Sequence, residues 1–442
     1  MATLPATLAN APRPAVSRSP RTGRTGDALA SYMRGQAVAN KRALILLRPF
    51  TDQEFGSGSE APATAQIAEV NTLLSRATRI VARRVERLEQ LAEQAARTRD
   101  PSAIEQALRA KQESNALIAA VERIRQFYWE IFGQRMTRIA PQLLASDRIA
   151  LDCYQYVYGG LGKARSIPSP APFSFMDAGL GPATFRRGVS MKKLGRMPNP
   201  FPLVRLPYSR LVTPWTLGAI PHEIGHNLQS DLGLWLEMPR QVNEQLRRAG
   251  IDPAVRRIWV RWTKETFADL VGVLLIGPAF VYSLMDVVGK SLPSTGAFNP
   301  RGVHPVPYYR VPISLHLLAR IGFEEEAARI GALWNRLYPP AVARAVPAAF
   351  RDSFAKAMPL VASVMVERKF AQLGDKALRQ VVAFRPQDAE VTIEAAQRLA
   401  RGHDPGIVPE RFLIGAARYA FDRRLTSPEV ITRNFYNALG RR

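Results

Sequence analysis

The sequence predicts a mainly α-helical protein with a small or vestigial β element, an N-terminal helical hairpin and a C-terminal helical region. Three observations carry this. Apolar residues recur at three- and four-residue steps through 64–98 and again from 101 to about 140. Helical patterns return beyond residue 310. Between them, residues 158–214 are rich in Gly and Pro and poor in helix signals, and segments of that length without helix tend to be functional.

In chain order, residues 1–26 hold no acid and are rich in Pro, Arg, Ser and Thr, the composition of a disordered arm. They lack the apolar stretch of a signal peptide. Their bias resembles an organellar transit peptide, although the prolines oppose an amphipathic helix. Residues 43–50 read as a strand and 51–63 as a flexible linker of Gly, Ser and Pro. In 64–98 the residues Ile67, Val70, Leu74, Ala77, Val81, Val85, Leu88 and Ala92 form one apolar stripe. Asp100-Pro101 caps a second helix with Ile104, Leu108, Leu117, Val121, Ile124, Tyr128 and Ile131 on its inner face. The two helices are expected to pair as an antiparallel hairpin. Leu270–Met285 is uncharged but interrupted by Pro278, and is too short to span a bilayer. It reads as the buried end of one helix and the start of the next. Further helices are expected over 312–337, 350–372, 391–401 and 409–423. The resulting division is an arm and linker over 1–60, the hairpin over 61–145, a core over 146–345 and the C-terminal helices over 346–442.

With 442 residues and 47% hydrophobic content, a large core is available. One cysteine, Cys153, excludes an internal disulfide and suits a reducing compartment; it reads as a packed core thiol. The net charge of +24 would suit nucleic acid, anionic membrane or acidic protein. Yet Arg far outnumbers Lys, as in a GC-rich genome, and the charge is spread along the chain. No base-reading helix, zinc finger or RNA-binding signature accompanies it, so no nucleic-acid module is assigned. A cytoplasmic bacterial protein is expected; its oligomeric state is not encoded in any of these features. Arg186–Arg210 is the densest basic stretch, without a single acid, and is expected to line an electropositive cleft.

The chemistry sits in His222-Glu223-Ile224-Gly225-His226. On a helix, positions i and i+4 share a face, so His222 and His226 can meet at one metal ion. Glu223 lies about 100° further round, able to reach the water such a metal activates without ligating the metal itself. Only five histidines occur in the chain, and two of them are in this pentapeptide. Zinc needs a third protein ligand. Gln229 and Leu232 exclude the His-x-x-Gly-x-x-His continuation. A second helix, opened by Asp252-Pro253, instead offers Glu265 as the ligand. Asp269, one turn on, would accept the free N–H of an imidazole and fix its tautomer. Pro221 is expected inside a helix starting near Thr213-Pro214, kinking it just before the first ligand.

His-Glu-x-x-His followed by Glu-x-x-x-Asp resembles the gluzincin zinc metallopeptidases. The segment His304-Pro305-Val306-Pro307-Tyr308-Tyr309-Arg310 is similar to the His-Pro…Arg segment of their prenyl-protein-protease and heat-shock-protease branch. The resemblance spans roughly residues 200–340. It implies a zincin-like metallopeptidase core with Zn²⁺ at His222, His226 and Glu265, Glu223 as general base, and His304 as a donor to the developing oxyanion. A peptide or protein substrate would lie along an edge strand within 201–212. That branch is usually membrane-embedded, and no transmembrane segment is evident here. The competing readings are a catalytically silent metal-containing binding or structural protein, and a basic protein that binds anionic polymers.

Overall fold

The computed structural model describes residues 25–162, 165–179 and 181–442. Except for its last two residues, the arm expected over 1–26 lies outside them. The described chain is mainly helical, with a few short strands. It divides into two compact units.

The first unit comprises described residues 25–47 and 78–119. It contains α1 (Thr25–Ala43), the second half of α2 (Thr64–Thr98) and the first half of α3 (Pro101–Gly133). The stripe predicted along α2 is buried at all eight positions. Asp100 caps α3 by accepting a hydrogen bond from the Ala103 amide at 3.0 Å. The inner face of α3 departs from expectation: Ala103 and Ala107 are buried whereas Leu108 is exposed. These small residues meet Leu88, Leu91, Ala92 and Ala95 of α2, together with Met33 and Ala37 of α1. The third helix explains the difference, since the periodicity of α2 and α3 could not reveal it. No strand forms at 43–50; Leu44–Leu47 instead winds on from α1 as a 3₁₀ turn.

The second unit holds 48–77 and 120–442. Residues 51–63 are no open linker here. Asp52–Phe55 is a 3₁₀ turn, and the Phe55 ring packs 5.2 Å from Phe132 and 5.5 Å from Trp129. After α4 (Ala140–Leu161) come β1 (Phe173–Met176), β2 (Ala183–Phe185) and β3 (Leu203–Leu206). These form one sheet in the order β1-β3-β2, with β3 parallel to β1 and antiparallel to β2. The strand expected within 201–212 is therefore β3. It is central and buried, not an edge; β1 and β2 are the two edge strands. One turn, α5 (Tyr208–Leu211), leads to α6 (Ala219–Asp231), α7 (Leu234–Arg248), α8 (Pro253–Ile276) and α9 (Pro278–Val288).

Helix α8 is the axis of this unit, buried almost continuously from Trp262 to Ile276, with α6, α7 and, from further along the chain, α11 (Pro307–Arg320) packed on it. Its start matches expectation: the Asp252 carboxylate accepts hydrogen bonds from the amides of Ala254 and Val255. Its end is set by Gly277, at φ +57°, followed by Pro278 at the first turn of α9. The apolar run Leu270–Met285 is thus two helices, and no helix among the described residues is long and apolar enough to cross a membrane.

The remainder comprises α10 (Leu292–Gly296), α11 (Pro307–Arg320), α12 (Glu324–Leu337), α13 (Ala348–Val366), the two-residue strands β4 (Lys369–Phe370) and β5 (Lys376–Ala377), α14 (Leu378–Val381), α15 (Pro386–Ala400), α16 (Phe412–Asp422) and α17 (Pro428–Gly440). The helix expected over 312–337 is two, broken between Arg320 and Glu324. The one expected over 350–372 stops at Val366, where the β4–β5 hairpin begins. Cys153 is fully buried, as expected of a core thiol.

Candidate metal centre

Helix α6 carries His222, Glu223 and His226; α8 carries Glu265 and Asp269. What brings them together is a close helix crossing. A Cβ on Gly225 would lie 2.9 Å from the Ala268 Cα, so only a residue without a side chain lets α6 approach this near. The predicted kink at Pro221 is not formed. Pro214–Thr216 is a separate 3₁₀ turn and α6 begins at Ala219. Pro221 thus falls in the first turn, where an amide has no intrahelical acceptor to lose.

Nε2 of His222 lies 3.5 Å from Oε2 of Glu265, and Nε2 of His226 lies 3.3 Å from Oε1. One ligand atom can be chosen from each of the three residues so that all lie within 4.8 Å of one another. Ligands about 2.0–2.2 Å from one tetrahedral ion would be about 3.4 Å apart. Two imidazole nitrogens and a carboxylate oxygen are also a donor set that zinc accepts. The residues present therefore fit a zinc ion.

Asp269 lies behind this group. Its Oδ1 is 2.9 Å from Nδ1 of His222, which directs the other ring nitrogen towards Glu265. Arg310, from α11, donates to the same carboxylate twice: Nε to Oδ2 at 2.8 Å and Nη2 to Oδ1 at 2.7 Å. It also passes 3.7 Å from Glu265. His226 has no such support: its Nδ1 is buried, and no carboxylate of the described residues lies within ion-pair distance of it. Asn227, also buried, ties α6 to β2 by donating to Thr184 Oγ1 at 2.7 Å, and donates within α6 to the Glu223 carbonyl at 2.9 Å.

The electrostatics follow from this geometry. Burial alone would lower the His222 imidazole, but hydrogen bonds to Asp269 and Glu265 outweigh it and push it up to about 10. Burial would raise Glu265, yet hydrogen bonds from His222 and His226 hold it well below the usual carboxylate range. Asp269 is likewise buried, and Arg310 keeps it low. Glu223 goes the other way: burial raises it, only partly opposed by the two histidines. A carboxylate raised in this way is suited to taking up a proton.

These groups open onto a cleft of about 390 Å³. Gly181 to Thr184, at the β2 edge, form one wall, and Phe280, Ser283, Leu284 and Val287 of α9 form another. His304, in the turn before α11, sits at the mouth. It is exposed, with Nε2 3.4 Å from Oε1 of Glu265. All six residues singled out in the sequence are therefore gathered at one place. Of the basic stretch 186–210, Arg186 reaches the cleft wall. Arg187, beside it, is used internally, donating to the carbonyls of Ser169, Pro170 and Pro200.

Three contributors escaped sequence reasoning. The pairing of Arg310 with Asp269 could have been suspected, because a buried acid beside a ligand calls for a cation. Asn227, and Trp235 of α7 on the cleft wall, gave no local signal. Comparison with protein-family models, curated proteins and solved structures finds no match to this chain.

Proposed function

We propose that this chain is a zinc-dependent peptide-bond hydrolase of the gluzincin type. One observation carries the reading: the Nε2 atoms of His222 and His226 stand at 3.5 and 3.3 Å from the two oxygens of Glu265, with Glu223 beside them in an open cleft. His222, His226 and Glu265 would hold the ion. Bound zinc supplies acidity to a water molecule and polarises the substrate carbonyl.

The chain's own residues do the rest. Glu223, raised by burial, takes a proton from the attacking water and passes it to the leaving nitrogen as the carbon–nitrogen bond breaks. His304 donates from the cleft mouth to the carbonyl oxygen as negative charge develops there. Edge strand β2 supplies a backbone against which an extended peptide can lie. Asp269 and Arg310 keep the His222 ring oriented. A structural zinc would have no use for a carboxylate placed as Glu223 is.

The test is metal analysis of the purified protein with digestion of a broad peptide library. About one zinc per chain and cleavage that stops on chelation and returns with zinc are the expected results. Full-length protein that holds zinc but cleaves no peptide in the library would overturn the hydrolase reading.

A further inference from the structure

Among the described residues lining the metal cleft, two are arginines, and they are placed differently. Arg310 is committed to Asp269 through two hydrogen bonds. Arg186 has no carboxylate within ion-pair distance among the described residues; its one described side-chain hydrogen bond goes to the neutral Ser230 hydroxyl at 3.3 Å. The acid that acts on it from further off, Asp231, already accepts a hydrogen bond from the Tyr154 hydroxyl at 2.9 Å.

What holds Arg186 in place is an aromatic ring. Its guanidinium carbon lies 3.3 Å from the Trp235 ring centroid, which fixes a planar donor group against a planar surface. Lys264 puts a second cation against the same indole, with Nζ 3.9 Å from the centroid, and it too has no carboxylate partner among the described residues. Two positive charges at one ring repel each other, and an anion drawn to them relieves that repulsion. A guanidinium with most of its five donors unused is suited to a carboxylate, which it can grip through two parallel hydrogen bonds. Arg186 follows directly on β2, so a peptide lying along that edge passes in front of it.

We propose that Arg186, seated on Trp235 at the wall of the metal cleft and reinforced by Lys264, is a carboxylate-recognising subsite that selects peptide substrates with a carboxylate close to the bond cut. The carboxylate comes either from an acidic side chain or from a free C-terminus. The inference rests on the hydrolase reading for its consequence in turnover, but the binding it describes can be measured without turnover.

Two arms test it with the zinc-loaded full chain. In the first, kcat/KM is measured on matched peptides in which Glu is replaced by Gln, and in which the C-terminus is free or amidated. The wild-type protein should favour a carboxylate about tenfold or more, and whichever replacement abolishes the preference identifies its source. Arg186→Gln should bring that ratio close to one, Lys264→Gln should lower it less, and Arg186→Lys should retain part of it. In the second arm, calorimetry with the Glu223→Gln protein compares the affinities of the same peptides, with and without Arg186→Gln. Zinc content and far-ultraviolet circular dichroism establish that each variant is folded. Hydrolysis without preference for a carboxylate in wild type, or a preference that survives Arg186→Gln, overturns the subsite and leaves the hydrolase reading intact. Carboxylate-dependent affinity that is lost in Arg186→Gln, with no hydrolysis of any peptide, supports the subsite and defeats the hydrolase reading.

Discussion

The Asp269 carboxylate is shared between two partners: both its oxygens accept from Arg310, at 2.8 and 2.7 Å, while one of them also faces the His222 imidazole at 2.9 Å. Asp269 and Arg310 are thereby buried as one unit behind the candidate ligand His222.

Breaking that unit should have separable effects. Asp269→Asn keeps the shape but weakens the hold on His222, and zinc affinity should fall about 10–100-fold. Arg310→Met leaves a buried carboxylate without its cation, and should cost about 3–5 kcal/mol of stability. Chelator competition measures the first and urea denaturation of the metal-free protein the second. If Asp269→Asn binds zinc as tightly as wild type, Asp269 does not support the site.

Glu223→Gln should keep the fold and the zinc but abolish hydrolysis, since the amide cannot take up a proton. Zinc content and peptide turnover are the two readouts. Wild-type cleavage by this variant would show that another group is the base.

His304→Ala should retain zinc while turnover falls by about 10²–10³, the usual cost of one lost donor to a developing oxyanion. Its side chain is exposed in the turn before α11, with Nε2 3.4 Å from Oε1 of Glu265. Loss of zinc along with activity would instead mark His304 as a ligand.

The raised His222 imidazole predicts a proton linkage. In the metal-free protein its folded-state pKa of about 10 lies above the unfolded value near ~6.5. Its contribution to stability is therefore complete below about pH 6.5 and is lost as pH rises through about 10. Thermal melts of metal-free protein should show this decline, and zinc binding at neutral pH should release protons. Calorimetry in buffers of different ionisation enthalpy measures the release; binding enthalpies that do not depend on the buffer would contradict it.

Gly225→Ala should cost about 1–3 kcal/mol, because its Cβ meets backbone, not the yielding end of a side chain. Zinc affinity should fall with it as α6 is pushed from α8. A melting temperature and zinc affinity equal to wild type would mean the crossing relaxes freely.

Much of the site was legible because its parts are local. The i,i+4 pairs on α6 and α8 depend on helical geometry alone, and Asp252-Pro253 marks a helix start by a local cap. What could not be read depends on partners distant in sequence. The strand within 201–212 is visible as a pattern, but whether it lies at an edge is decided by β1 and β2 on either side. The burial of Ala107 in place of Leu108 depends on α1 lying against α2 and α3. The linker at 51–63 looked open in composition, yet one residue, Phe55, anchors it in an aromatic cluster.

The contact of Gly225 with Ala268 also bears on how distant relatives could be recognised. The pentapeptide alone is a short pattern that unrelated chains can meet by accident. Here its glycine is matched by a small residue three positions after Glu265, at the point where the two helices touch. In any chain built the same way, the residues at these two places must trade volume against each other. A paired search for Gly inside the first motif and a small side chain inside the second would separate shared architecture from coincidence, even where overall similarity has faded.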